Sequence, residues 1–83
     1  MKVLKFEASW CGPCKMLSKT INEMGDKITM PIEVVDIDQN ADLAKQYGVR
    51  GVPTMVIVDG EGREVGRKVG LLREADILTF LQA

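Results

Sequence analysis

The stretch WCGPCK, residues 10–15, is the most informative part of this chain, because it contains both cysteines of the 83-residue sequence. It follows an alternating apolar run at residues 3–8 and precedes a run with helical periodicity at residues 16–24. We therefore predict that Cys11 and Cys14 lie where a strand meets a helix. If Cys11 is the N-cap, its sulfur faces the free amides of the first turn. Because Pro13 has no N–H, Cys14 N–H is the expected hydrogen-bond donor to the Cys11 sulfur.

This placement favours redox chemistry. The helix dipole stabilises an anion at the N-terminus, so we expect a lowered pKa for Cys11 and a thiolate near neutral pH. Cys14, one turn further on, is predicted to lie within disulfide reach. Attack by Cys11 on a target disulfide would form a mixed disulfide, which Cys14 would then resolve.

Three other interpretations of the two cysteines fit less well. A structural zinc site requires about four ligands, whereas this sequence has two cysteines and no histidine. A structural disulfide that closes so short a loop would add little stability. Two unrelated buried thiols remain possible, although they would not need Gly-Pro between them. A C-x-x-C motif beside a βαβ pattern is typical of redox proteins.

The rest of the chain predicts the element order β-α-β-α-β-β-α. The first helix is expected to end near Gly25, and Asn40 is a candidate N-cap for a short helix at residues 41–47. The turn at residues 59–62 predicts a hairpin, with Val65 and Val69 of its second strand pointing inward. The remaining predicted elements are strands at 32–37, 54–58 and 63–69, and a last helix at 73–82 with Ile77, Leu78 and Leu81 on one face.

Composition excludes several functional classes. The net charge is −1 and 28% of residues are charged, so no basic surface for nucleic acid or for an anionic membrane is expected. No apolar run is long enough to span a bilayer, and we expect no signal peptide, since Met1-Lys2 leads into a short strand-like run followed by a charged segment. A reactive dithiol with no other cysteine suits a reducing compartment, so we expect a cytoplasmic protein.

The WCGPCK motif resembles the active site of thioredoxins. The similarity continues in Asp38-Gln39-Asn40, in YGVRGVPT at residues 47–54 and in KVG at residues 68–70. The chain resembles the shortened thioredoxins of phages and some archaea, which lack the N-terminal strand and helix of the family. With right-handed crossovers, the resemblance implies a single α/β domain at residues 1–83, with a four-stranded mixed sheet and helices on both faces.

The resemblance also implies a function. The chain is expected to be a thiol–disulfide oxidoreductase that reduces protein disulfides and takes electrons from a partner similar to thioredoxin reductase. Its redox group would be the Cys11–Cys14 disulfide, with no metal or other bound cofactor. X–Pro bonds are generally trans. The resemblance reverses this expectation for Pro53, whose peptide bond is expected to be cis. The implied substrate-docking surface consists of Trp10, Gly12, Pro13, Gly51, Val52, Pro53, Gly70 and Leu71.

The sequence departs from the family near this site. Lys5 stands where thioredoxins have a buried aspartate, Val34 where they have a lysine, and Glu7 where they have a tryptophan. We expect Lys5, Glu7 and Asp38 to modulate the site, with Glu7 as the carboxylate that replaces the aspartate. The alternative is a solvated Lys5–Glu7 pair of little consequence.

The strand at residues 32–37 is expected to form a sheet edge because the family's first strand is missing. Glu33, Asp36 and Asp38 place charges along it, which predicts a monomer. Two other functions remain open. One is a glutaredoxin-like enzyme reduced by glutathione, and the other is a binding subunit without redox turnover, as in polymerase accessory factors.

Overall fold

The computed structural model describes residues 1–82, and its elements follow the predicted order. Each strand or helix lies within about two residues of its predicted position. The bounds are β1 Lys2–Glu7, α1 Gly12–Met24, β2 Ile32–Asp36, α2 Ala41–Gln46, β3 Thr54–Val58, β4 Glu64–Val69 and α3 Glu74–Leu81, with a short 3₁₀ turn at Gly25–Lys27 after α1. None of the helices in residues 1–82 is long and apolar enough to cross a bilayer.

The strands form one sheet in the order β2-β1-β3-β4. β1 pairs in parallel with β2, and the β1–β3 and β3–β4 pairs are antiparallel. This confirms the predicted four-stranded mixed sheet. β1 is central, so the loop that follows it, which leads to Cys11 and the start of α1, emerges from the middle of the sheet. In the described chain β2 is an edge strand, as expected.

Side chains that alternate along β1 and β3 build a core on each face of the sheet. β3 is buried at all five positions, as its continuous apolar run predicted. One core packs under α1 and α3 and contains Val3, Leu17, Met24, Met55, Ile57, Ile77, Phe80 and Leu81. The other packs under α2 and contains Leu4, Phe6, Val35, Ala44, Val56 and Val58. Helices therefore cover both faces, as predicted.

The prediction that Val65 and Val69 point inward is wrong, since they are 47% and 65% exposed. Val69 pairs with Thr54, and Arg67 pairs with Val56 of the core beneath α2. These side chains therefore lie on the α2 face, where the six-residue α2 leaves β4 uncovered. Gly66 lies on the opposite face, where the Phe80 ring approaches it.

Tyr47, directly after α2, connects this helix to the β3–β4 hairpin. Its hydroxyl donates to the Gly62 carbonyl at 2.5 Å, and its ring lies 6.1 Å from that of Phe6. The Arg67 guanidinium donates to the Tyr47 carbonyl. At the other end of α2, Asn40 is the N-cap, as predicted, but its side-chain amide donates to the Asp36 carbonyl.

Candidate active site

Cys11 is the N-cap of α1, as predicted. Its backbone is extended, with φ −94° and ψ 109°, and its sulfur accepts a hydrogen bond from Cys14 N–H at 3.1 Å. Pro13 lies within the first two helical positions, where the absence of its N–H costs nothing. The start of the helix therefore presents a backbone donor to the Cys11 sulfur.

Cys11 and Cys14 form a disulfide, with their Cα atoms 5.3 Å apart. The residues are 5% and 3% exposed, so both are largely covered. They pack in a small apolar cluster with Ala8, against Ile37 and Val52. Because burial does not distinguish the two sulfurs, the N-cap position of Cys11 is what separates their environments.

The loop before β3 lies against the disulfide. The Val52-Pro53 peptide is cis, as the resemblance implied. The Val52 carbonyl oxygen lies 3.8 Å from Cys11 Sγ. Thr54 Oγ1 donates to the Gly51 carbonyl at 2.7 Å, which holds the loop against the start of β3.

Gly70 connects the end of β4 to the same loop. Its N–H donates to the Pro53 carbonyl at 2.8 Å, and its φ of +94° is a conformation that favours glycine. Leu71 follows and is 46% exposed. The structure thus brings the predicted docking residues of two distant segments, at 51–53 and 70–71, to one side of the disulfide.

Trp10 is 68% exposed at the tip of the loop that leads to Cys11. Its indole N–H donates to Asp38 Oδ2 at 2.9 Å, and Asp38 N–H donates to Asp36 Oδ1 at 2.8 Å. Asp38 therefore fixes the Trp10 side chain from the end of β2. Gly12 and Pro13, the other predicted docking residues, are exposed in the first turn of α1.

Lys5 is buried, so the alternative of a solvated Lys5–Glu7 pair is wrong for the lysine. The Lys5 side chain is 5% exposed and that of Glu7 is 28% exposed. Lys5 Nζ donates to Glu7 Oε1 at 2.7 Å and also to the hydroxyl of Ser18. Ser18 Oγ lies 3.4 Å from the same carboxylate oxygen and can donate to it.

Ser18 was not among the predicted site residues. The available signal was its spacing, because a residue four positions after Cys14 on a helix shares its face. Glu7, Cys14 and Ser18 all line one groove of about 550 Å³ between the end of β1 and α1. Residues 1–82 contain no group of three or more Cys, Asp or Glu side chains arranged to hold a metal ion.

Comparisons with known proteins agree with this geometry. The thioredoxin family model matches residues 1–83. A thioredoxin from Acidithiobacillus ferridurans is 35% identical over 83 residues, which cover 98% of this chain and 76% of that protein. Thioredoxin H2-1 of Oryza sativa subsp. japonica is 45% identical over 69 residues, which cover 82% of this chain.

The solved structure of a mutant thioredoxin from Halobacterium salinarum NRC-1 superimposes with a TM-score of 0.84 at 36% identity, covering 96% of this chain and 70% of that one. The chain spans 49% of the rice protein and 66% of a thioredoxin from Chlorobaculum thiosulfatiphilum. The family model nevertheless matches the chain from its first residue to its last, and the chain belongs to the thioredoxin family.

Proposed function

We propose that this chain is a thiol–disulfide oxidoreductase that reduces protein disulfides through Cys11 and Cys14. The observation that carries the proposal is the hydrogen bond from Cys14 N–H to the Cys11 sulfur at the N-terminus of α1. A donor and a helix dipole at this position favour the thiolate form of the reduced Cys11, and the thiolate is the nucleophile in disulfide exchange.

The reaction consists of two exchanges. The Cys11 thiolate attacks one sulfur of the target disulfide, whose S–S bond breaks and releases a target thiolate. Cys14 then loses its proton and attacks Cys11 Sγ in the mixed disulfide, releasing the second target thiolate. The two electrons of the dithiol pass to the target, and Cys11 and Cys14 end as the disulfide seen here.

The substrate segment docks on the surface around Cys11. Val52 precedes the first register pair of β3, so its peptide groups can pair with an extended target backbone. Exposed Trp10 and Leu71 offer apolar contacts for the target. The other proposed docking residues are Gly12, Pro13, Gly51, Pro53 and Gly70, and Asp38 acts indirectly by holding the Trp10 indole.

The proposed partners are an electron donor similar to thioredoxin reductase and proteins with accessible disulfides. The proposed compartment is a reducing one, the cytoplasm, where the dithiol would be regenerated. We also propose a monomer. Charged side chains at Glu33 and Asp36 lie along the β2 edge, and such charges oppose pairing between sheet edges.

The test is reduction of insulin disulfides by the reduced protein, with thioredoxin reductase and NADPH or with glutathione as alternative electron donors. We expect turnover with the reductase. Cys14→Ser should accumulate a mixed disulfide with the target through Cys11, and Cys11→Ser serves as the matched control that should not. Efficient trapping by Cys11→Ser and none by Cys14→Ser would reverse the roles of the two cysteines.

A further inference from the structure

A buried ammonium group, Lys5 Nζ, contacts α1 one turn after the resolving cysteine of the proposed reaction. Lys5 points from the centre of the sheet toward α1, where Ser18 lies one turn after Cys14. Three contacts join Lys5 Nζ, Glu7 Oε1 and Ser18 Oγ into a closed triangle, which we call the Lys5–Glu7–Ser18 cluster. A charged side chain that is 5% exposed requires such partners, so the position of the Glu7 carboxylate is fixed by the fold.

The groove connects this cluster to Cys14. Glu7, Ser18 and Cys14 all line it, and its volume of about 550 Å³ accommodates solvent. Glu7 is 28% exposed, lines the groove and is the carboxylate of the cluster, so it can accept a proton there. A proton can therefore pass from the Cys14 thiol to Glu7 through a water molecule or through the Ser18 hydroxyl.

Other charged groups face the same space. Lys15, Lys19 and Glu23 of α1 line the groove, and Asp36 of β2 is the register partner of Glu7. Asp36 is committed to the N–H of Asp38, and Glu23 is exposed on the groove wall. Glu7 is the carboxylate that combines a place in the groove with a fixed position beside α1.

We propose that Glu7 accepts the thiol proton of Cys14 during resolution of the mixed disulfide, and that Lys5 and Ser18 position its carboxylate. The proposal rests on the dithiol mechanism above and assigns its proton acceptor. The Cys14 proton moves to Glu7, and the Cys14 thiolate attacks Cys11 Sγ. The Cys11–Cys14 bond forms as the bond to the target breaks, and the departing target thiolate takes a proton from solvent or from protonated Glu7.

The two exchanges can be timed separately with dithiobis(nitrobenzoate), an aromatic disulfide that releases a coloured thiolate at each step. In stopped-flow mixing with the reduced protein, the first phase reports attack by Cys11 and the second reports resolution by Cys14. At about pH 7, Glu7→Gln should slow the second phase by about tenfold or more, a conservative figure beside the typical general-base contribution of about 10²–10⁴-fold, and change the first phase by less than about twofold.

The pH dependence of the second-phase rate distinguishes the loss of a base from distorted packing. At increasingly alkaline pH, hydroxide can take the Cys14 proton in place of Glu7, so the second phases of Glu7→Gln and the wild type should converge as pH rises. Glu23→Gln is the matched control, because it removes the same charge from the same groove and should leave both phases unchanged.

A second variant guards against misfolding, since Glu7→Gln leaves the Lys5 ammonium buried beside a neutral amide. The Lys5→Met, Glu7→Gln double variant removes both charges and should resolve as slowly as Glu7→Gln, whereas Lys5→Met alone should be faster than either. Equal second phases in Glu7→Gln and Glu23→Gln, or a second phase in Lys5→Met as slow as that of Glu7→Gln, would overturn the assignment. Loss of the first phase in the wild type would instead refute the dithiol mechanism itself.

Discussion

The Lys5–Glu7 contact predicts that a substitution of one partner lowers stability more than the substitution of both. Removing one partner of a fully buried ion pair costs about 3–5 kcal/mol, because the other charge stays buried without compensation. Here the cost should be lower, since Glu7 is 28% exposed and Ser18 remains as a partner of Lys5. We expect Glu7→Gln to lower the free energy of unfolding by about 1–3 kcal/mol.

That loss is large for a domain of this size. At roughly 0.05–0.15 kcal/mol per residue, the described chain has a total stability of about 4–12 kcal/mol. A change of 1 kcal/mol shifts Tm by about 4–8 °C in domains of this length, so Glu7→Gln should melt about 4–24 °C below the wild type. The Lys5→Met, Glu7→Gln double variant should recover most of the difference, because neither charge is then buried alone.

The assay is urea unfolding of the oxidised protein, followed by circular dichroism, for the wild type, both single variants and the double variant. The coupling energy from this cycle measures the contact after the separate effects of each substitution are removed. Glu23→Gln, on the exposed wall of the same groove, should change stability by less than about 0.5 kcal/mol. Single variants that each match Glu23→Gln, with no coupling, would refute a buried pair.

Three further outcomes follow from the fold. The Arg67 side chain, by its hydrogen bonds, holds the pKa of Glu64 below its ordinary value of 4.5; because the folded-state pKa is the lower one, this stabilisation is present above about pH 4.5 and is lost as pH falls through the folded value. Glu64→Gln should therefore lose less stability than the wild type as pH falls from about 5 through the folded-state pKa, by about 0.2–1 kcal/mol in urea titrations. An unchanged pH dependence would show that the pair contributes no stability. Ile57→Ala, in the core under α1 and α3, should cost about 2–5 kcal/mol, whereas the exposed Val65→Ala should cost less than about 0.5 kcal/mol; equal losses would contradict the assigned faces. Light scattering at micromolar concentration should give the mass of one chain, and a stable dimer would show that the charges on β2 do not protect the edge.

Periodicity predicted β3 and α1 because one is fully buried and the other is amphipathic, and the sequence of each displays that pattern. The apolar run of β3 and the apolar stripe of α1 can be recognised without knowing which elements pack against them. The C-x-x-C motif placed the disulfide at the junction of β1 and α1. The cis peptide at Pro53 came from family resemblance, because the general preference of X–Pro bonds favours trans.

The errors arose where burial depends on elements distant in sequence. Val65 and Val69 alternate correctly, but whether an edge strand is covered depends on the length of the helix above it, and α2 has six residues. For Lys5, the sequence left open whether the side chain was solvated. Its burial is decided by Ser18, which is 13 residues away on the helix that crosses above it.

Tyr47 helps to hold the loop before β3, which faces Cys11, against the rest of the fold. The segment from Tyr47 to Thr54 is bonded to α2 through Val49 N–H, to the hairpin through the Tyr47 hydroxyl and to Gly70 through the Pro53 carbonyl. Local fluctuations release backbone amides to solvent only where few such bonds must break together. The hydrogen-bonded amides of Val49 and Gly70 should therefore exchange their hydrogens in step with those of β3, so that the bonds holding this loop break only when the sheet opens.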